Sequence, residues 1–210
     1  MQYISIRLLI TFIAGASFSF GATLTDNLSK TTAGNEFVGG PTWVAAAFST
    51  DNGSYQISSA SLLLSTTETS TAKLDLYSAG SEQPGLLLST LSSPVSFPTV
   101  ASPVTFTGSN YILSPNSTYW LVLKAPTGSF DWSWTEDSTG TGAGFLSQWA
   151  ATDNAGGIWF TSDAQPMQFR VLADPVNAAV PEPGSFTLTA LSIAGLISLL
   201  RGKRNSLKRK

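Results

Sequence analysis

Three carboxylates and two tryptophans stand together in one short segment. Asp131, Glu136 and Asp137 flank Trp132 and Trp134. Two carboxylates facing each other across a cleft are the acid and base of most glycoside hydrolases. Neighbouring positions in the sequence do not set the separation that this mechanism needs, and acidic residues are common in turns. We therefore expect no enzyme and interpret the three carboxylates as solvated residues of turns and edges.

Tryptophan side chains are the second candidate chemistry, because flat aromatic rings stack on sugar rings. The candidate glycan-binding residues are Trp132, Trp134, Trp149 and Trp159. The first two are two residues apart in a predicted strand and share one sheet face, where packing in a core is the favoured alternative. The other two lie around the Gly-rich region 140–157, where loop packing and ligand contact are equally open. Trp43 and Trp120 are assigned to the core.

The chain contains no histidine and no cysteine. This excludes a Ser-His-Asp triad, imidazole acid–base chemistry and histidine metal ligands. It also excludes a disulfide framework, so the body must be held together by its own core. We expect no cofactor and no metal site. Calcium is the alternative, because oxygen ligands occur on the predicted loops at Asp51-Asn52-Gly53, Asp153-Asn154 and Asp163, although these residues also form turns well.

Charge is distributed unevenly along the chain. The whole sequence has a net charge of −2, but residues 23–180 hold four basic and twelve acidic residues, a net of −8. Such an acidic body disfavours nucleic acid and anionic polymers as partners, whereas neutral glycans remain open. Polysaccharide is therefore the candidate extracellular partner, and nucleic acid is not expected.

The body alternates short β-forming runs with Gly, Ser, Thr, Asn and Pro, which predicts an all-β chain. The number of runs favours a single antiparallel β-sandwich or jelly-roll-like domain over residues 23–173, followed by a linker at 174–180. Predicted strands are 43–49, 56–66, 72–78, 86–91, 104–107, 118–124, 129–135 and 167–172, with weaker ones at 22–28, 144–149 and 157–161. Predicted turns are 51–53, 83–85, 114–117 and 154–157.

One predicted strand alternates clearly between apolar and polar residues. Leu74 and Leu76 should share one sheet face, and Lys73, Asp75 and Tyr77 the other. The leucine face should meet the core. The other three side chains should point away from it.

The C-terminal residues combine a rigid motif, an apolar span and a basic end. After Pro181-Glu182-Pro183, the 17 residues of 184–200 are uncharged, at the short end of what spans a bilayer. Six basic residues follow in the tail 201–210: Arg201, Lys203, Arg204, Lys208, Arg209 and Lys210. The positive-inside rule places this cluster in the cytoplasm, which we favour over a nucleic-acid-binding tail because it adjoins the span. We expect a single transmembrane helix at 184–200.

The N-terminal residues have the features of a signal peptide over 1–22. Arg7 precedes an apolar stretch at 8–16, and small residues follow at Ser17, Ser19 and Gly21. We expect export and processing by signal peptidase. Cleavage after Gly21 and after Ala22 both remain open, and an uncleaved anchor is the alternative.

Both the tail and the body resemble known families. The tail, with Pro181, Glu182 and Pro183, resembles the PEP-CTERM sorting signal of bacterial surface proteins, which implies recognition and removal by an exosortase. The body resembles the secreted choice-of-anchor domains, closest to the R type, whose biochemical role is undefined. The segments that carry this second resemblance are Asp26-Asn27-Leu28, Trp43 with Phe48, Lys73–Tyr77, Pro84–Leu88 and Leu113–Val122.

These expectations point to an exported, non-catalytic cell-surface or extracellular-matrix protein. Its tail would sort it, and its partners would be an exosortase, signal peptidase and the exopolysaccharide of a biofilm. The inner-membrane anchor would be either transient or retained, with a cytoplasmic C-terminus. The alternatives are a carbohydrate-binding module that uses exposed tryptophans and a glycan hydrolase that would need two carboxylates in one cleft.

Overall fold

Thirteen β-strands and no helix make up residues 21–176, the part of the chain that the computed structural model describes. The predicted sorting motif, span and basic tail lie outside this part, as does almost all of the predicted signal peptide. The strands are β1 (Ala22–Asp26), β2 (Gly34–Gly39), β3 (Trp43–Ser49), β4 (Tyr55–Ser65), β5 (Thr71–Ala79), β6 (Pro84–Leu91), β7 (Ser102–Thr107), β8 (Ile112–Leu113), β9 (Thr118–Thr127), β10 (Ser129–Trp134), β11 (Phe145–Thr152), β12 (Phe160–Ser162) and β13 (Phe169–Pro175).

The strands form two antiparallel sheets, as the all-β prediction requires. A seven-stranded sheet is built around the long strand β4, which pairs with β13 and β10 along one edge and with β7 and β8 along the other. Strand β1 flanks β13, and β2 flanks β10. The six-stranded sheet has the order β12-β11-β3-β9-β5-β6, so that β12 and β6 are its edges.

A hydrophobic core fills the space between the two sheets. Alternate residues of most strands point into it, as Val44 and Phe48 do from β3 and Leu62 and Leu64 do from β4, and all four are fully buried. Each such side chain contributes about 1.5–3 kcal/mol by leaving water. This core holds the sheets together in a sandwich-like arrangement.

A second apolar layer lies on the other face of the six-stranded sheet. It consists of five fully buried residues with four partly buried ones packed against them. We call this set the outer cluster: Ala45, Ala47, Trp120, Val122 and Ala150, with Trp43, Tyr77, Leu146 and Trp159 packed against them. Strands β3 and β9 therefore bury both of their faces, which explains why they are apolar almost throughout.

The predicted alternation along β5 is confirmed. Leu74 and Leu76 are fully buried in the core between the sheets, while Tyr77 packs against the outer cluster on the opposite face. Asp75 shares that outer face but is also fully buried, which the alternation did not predict.

Three local features differ from the sequence-based prediction. Strands β2 and β8 were not predicted, because Gly34-Asn35-Glu36 has low β-propensity and β8 is only two residues long. The turn expected at 83–85 lies earlier, where the Gly80 amide donates to the Gln83 carbonyl at 2.7 Å. Pro84 instead begins β6, an edge strand, where a missing backbone donor is tolerated.

The two ends of the described part lie side by side. Ala22 at the start of β1 is the register partner of Ala173 near the end of β13. The chain therefore enters and leaves this part at the same end of one sheet. Within residues 21–176 there is no helix long and apolar enough to cross a membrane.

Candidate functional site

Trp132 and Trp134 both face the space between the sheets. Trp132 is fully buried, and its indole N–H donates to the Gln168 carbonyl at 3.0 Å. Trp134 is half-buried against the same core and covers Gly34, where an added Cβ would lie 2.4 Å from the indole ring. Trp132 therefore offers no face to a ligand. Trp132 is instead packed in the core, which is the alternative that we favoured for this pair.

Trp149 and Trp159 lie on opposite sides of the six-stranded sheet. Trp149 packs against the core between the sheets, and its indole N–H donates to the Ala164 carbonyl at 2.7 Å. Trp159 packs against the outer cluster, beside the Gly156 turn. The four candidate tryptophans consequently do not form one aromatic surface. Of the four, Trp159 alone belongs to the outer face.

Trp43 and Trp120 lie on that outer face, where Trp120 is buried as its assignment to the core predicts and Trp43 is only partly buried. Register sets this face, because Val44, Ala46 and Phe48 turn the other face of β3 inward. Trp120 is fully buried, and its indole N–H has no hydrogen-bond acceptor in the structure. Buried donors without a partner are rare in folded proteins.

Polar groups adjoin these aromatic residues, and together we call them the lysine patch: Lys73, Asp75, Tyr77 and Lys124. Asp75 is fully buried and accepts a hydrogen bond from Lys124 at 2.8 Å and one from the Thr90 hydroxyl at 2.5 Å. The Lys73 ammonium lies 3.4 Å from the same carboxylate. The patch therefore gathers two cations around one anion.

The Lys124 ammonium is held in place from several directions. It donates to the Tyr77 hydroxyl at 2.8 Å and lies 4.0 Å from the centre of the Trp43 ring, in a cation–π contact. Burial lowers the pKa of Lys124, but the hydrogen bonds to Asp75 and Tyr77 outweigh it and leave the pKa above its usual value. Lys124 is thus a fixed positive charge at neutral pH.

Two of the three candidate carboxylates line the same cleft, and the third does not. Asp131 lies within β10, whereas Glu136 and Asp137 follow that strand and line an open cleft of about 350 Å³ that Lys30 also lines. Hydrogen bonds from Lys30, at 2.6 Å, and from Thr139 lower the pKa of Asp137 to about 2. A carboxyl group that acts as a general acid needs a raised pKa instead.

The residues considered for calcium serve as turn formers. Asp51 accepts hydrogen bonds from the Gly53 amide at 2.8 Å and the Tyr55 hydroxyl at 2.9 Å, and the contact with Asp51 raises the pKa of Tyr55. The Asn154 side-chain oxygen accepts from the Thr152 hydroxyl at 2.7 Å. Among residues 21–176 no three acidic, histidine or cysteine side chains come close enough to hold a metal ion.

The sorting residues lie outside the described residues. They are Pro181, Glu182 and Pro183 of the motif and Arg201, Lys203, Arg204, Lys208, Arg209 and Lys210 of the basic cluster. Comparison with protein-family models gave no match to this chain, and comparison with curated proteins gave no significant match.

The lysine patch is the arrangement that the sequence analysis did not identify as a site. Two signals for it were present in the sequence. The alternation of Lys73, Asp75 and Tyr77 placed them on one outward face, and the continuous apolar run of β3 indicated a strand buried on both sides. What was missing was the order of the strands, which sets β5 next to β9 and therefore Lys73 opposite Lys124.

Proposed function

We propose that this chain is an exported, non-catalytic surface or matrix protein that a PEP-CTERM tail sorts and that associates with exopolysaccharide. In this account, residues 1–22 are a signal peptide, a single β-sandwich domain follows, and 184–200 form a sorting helix. Signal peptidase and an exosortase are the processing partners. The domain belongs to the choice-of-anchor group.

One structural observation supports this proposal most. Because Ala22 pairs with Ala173, both ends of the described β-domain lie next to each other. A domain attached at one end presents its other surfaces away from the attachment point. This arrangement suits a module that is displayed on a surface and exchanged as a unit between anchors.

The sorting motif can be tested by changing Pro181, Glu182 and Pro183 together to alanine. We expect the variant to keep its C-terminal span and to accumulate in the inner membrane, whereas the natural sequence reaches the surface. The matched control changes Asp174 and Pro175 to alanine, since both are exposed and lie just before the tail. Normal surface delivery of the triple variant would contradict the proposed role of the motif.

A carbohydrate-binding role is a second candidate function, favoured by the outer cluster. Trp43, Tyr77 and Trp159 are only partly buried there, and the Lys124 ammonium contacts the first two. Aromatic rings next to polar groups are the combination that sugar recognition uses. The candidate surface therefore moves from the four tryptophans first considered to this face, with Trp159 common to both.

A further inference from the structure

Positive charge exceeds negative charge at one place in residues 21–176, and that place is the lysine patch. Each of the four basic side chains of this part forms an ion pair, and the pairs are Lys30–Asp137, Arg170–Asp26, Lys73–Asp75 and Lys124–Asp75. Lys30 and Arg170 therefore each have their own carboxylate, whereas Lys73 and Lys124 share the carboxylate of Asp75. The patch retains one uncompensated positive charge within a region whose net charge is −8.

Lys73 and Lys124 differ in how firmly they are held. The Lys124 side chain is 13% exposed and its ammonium lies 2.8 Å from Asp75, while Lys73 is 44% exposed and lies 3.4 Å away. They are register partners on β5 and β9, so both ammonium groups extend from neighbouring strands on one face. Lys73 can turn toward an incoming anion without breaking a short hydrogen bond.

The buried Trp120 indole is a second polar feature of this face, and its hydrogen bonding is incomplete. Trp120 is the register partner of Tyr77 and belongs to the outer cluster, and its N–H lacks an acceptor. An unpaired buried donor costs about 1–3 kcal/mol unless a partner is supplied.

We propose that the lysine patch binds a uronic acid unit of an acidic heteropolysaccharide. The carboxylate pairs with the exposed Lys73 ammonium beside Lys124, and the sugar ring lies against Tyr77 and the neighbouring aromatic residues. This inference rests on the proposed association with exopolysaccharide and specifies the chemistry of that ligand.

The charge of the domain favours a sparsely charged polymer. A net charge of −8 repels nucleic acid and other polymers with closely spaced anions. At physiological salt, charges are screened beyond about 8 Å. A uronate set among neutral sugars is therefore attracted mainly by the local surplus of positive charge at the lysine patch.

Calorimetry with the full chain in mild detergent tests this proposal with three matched ligands. The first is a neutral oligosaccharide that carries one glucuronate, the second is its methyl ester, and the third has glucose in place of glucuronate. We expect saturable binding of the free acid, and binding of the other two at least about tenfold weaker, because a charge-assisted hydrogen bond is lost.

Two single variants locate the binding site. Lys73→Gln removes the exposed ammonium and should weaken binding of the free acid about tenfold. Lys30→Gln removes the same charge from a one-to-one pair elsewhere and should leave the affinity unchanged. Circular dichroism checks that both variants are folded, and the comparison of acid with ester needs no variant.

The possible outcomes separate the proposals. Equal affinity for all three ligands would overturn the carboxylate site and keep a glycan-binding role. An equal loss of affinity in Lys73→Gln and Lys30→Gln would also overturn the carboxylate site, because the loss would then come from the change in net charge. Absence of binding to all three would overturn the inference, while the processing and surface delivery of the chain, measured separately, would still decide the proposed sorting.

Discussion

Asp75 is the residue on which the polar part of the outer face depends. Its carboxylate is fully buried and balances Lys124, and it also accepts from Thr90. Breaking a buried ion pair leaves an uncompensated charge, which costs far more than the pair itself contributes. The conformation of Lys124 should therefore depend on Asp75.

We predict that Asp75→Asn lowers the free energy of unfolding by about 3 kcal/mol, because the shape is kept and the counter-ion of Lys124 is lost. Urea unfolding followed by tryptophan fluorescence measures this. Asp137→Asn is the matched control, since its pair with Lys30 is exposed, and its midpoint should hardly change. Similar midpoints for the two variants would contradict the importance assigned to Asp75.

Glu36 should make stability depend on pH. It lies on edge strand β2 opposite the buried Trp132, and burial raises its pKa. A raised carboxyl pKa means that the folded state favours the protonated form. The stability from this group is fully present below the unfolded pKa of about 4.3 and is lost as pH rises through the folded pKa.

We therefore predict that Glu36→Gln raises the melting temperature at pH 7 and has little effect at pH 3. Glutamine carries no charge at either pH, so the desolvation penalty of the carboxylate disappears only where the carboxylate is ionised. Glu82→Gln, at an exposed position, is the control. An equal effect of Glu36→Gln at both pH values would rule out ionisation as the cause.

At the scale of strands, β10 shows why a tryptophan pair in the sequence is an ambiguous signal. Period-two spacing predicted that Trp132 and Trp134 share a face, and they do. The spacing could not say whether this face meets water or the second sheet, because that depends on pairings between distant segments. Strand β4 lies far from β10 in the sequence, yet its Leu64 pairs with Trp132.

We predict that Trp132→Ala destabilises the fold by about 3–5 kcal/mol, since it opens a cavity and removes one of the two hydrogen bonds that the Gln168 carbonyl accepts. Trp159→Ala, on the half-buried outer side, should lower the free energy of unfolding by clearly less. Thermal unfolding of both variants measures the difference. Equal losses would contradict the distinct positions of the two indoles.

Most strands follow from local sequence, whereas the outer face does not. Strand β3 has the predicted bounds, residues 43–49, because its apolar run ends at Ser49 and Thr50. Strand β2 was missed because its glycines and Glu36 have low β-propensity, and tertiary pairing with β10 decides its conformation. The lysine patch needs β5 beside β9, which is a property of the whole topology.

Strand β6 is an edge of the six-stranded sheet, where Pro84 and an irregular register with β5 give only partial protection against pairing with other chains. Leu86 and Leu87 are 77% and 52% exposed, and residues 84–91 contain no charged side chain. Exposed apolar edges pair with other chains unless charges or bulges prevent it. We predict that Leu86→Lys reduces concentration-dependent light scattering and changes the free energy of unfolding by less than about 0.5 kcal/mol. Unchanged scattering would show that β6 does not drive association.

At the scale of the whole molecule, we propose an acidic β-domain with a sorting sequence at each end. The adjacent positions of Ala22 and Ala173 let one end of the domain serve both connections. In this proposal the remaining surfaces, including the outer cluster, face the matrix. Sorting and binding are separate properties, and each has its own test.

The central claim is that the chain is exported and sorted by its tail. Intact-mass measurement of the native protein, recovered separately from cytoplasm, membrane and surface fractions, tests it most directly. We predict a surface form that begins near Ala22 and ends close to Pro183, without the basic cluster. A cytoplasmic protein with the mass of all 210 residues would contradict the account.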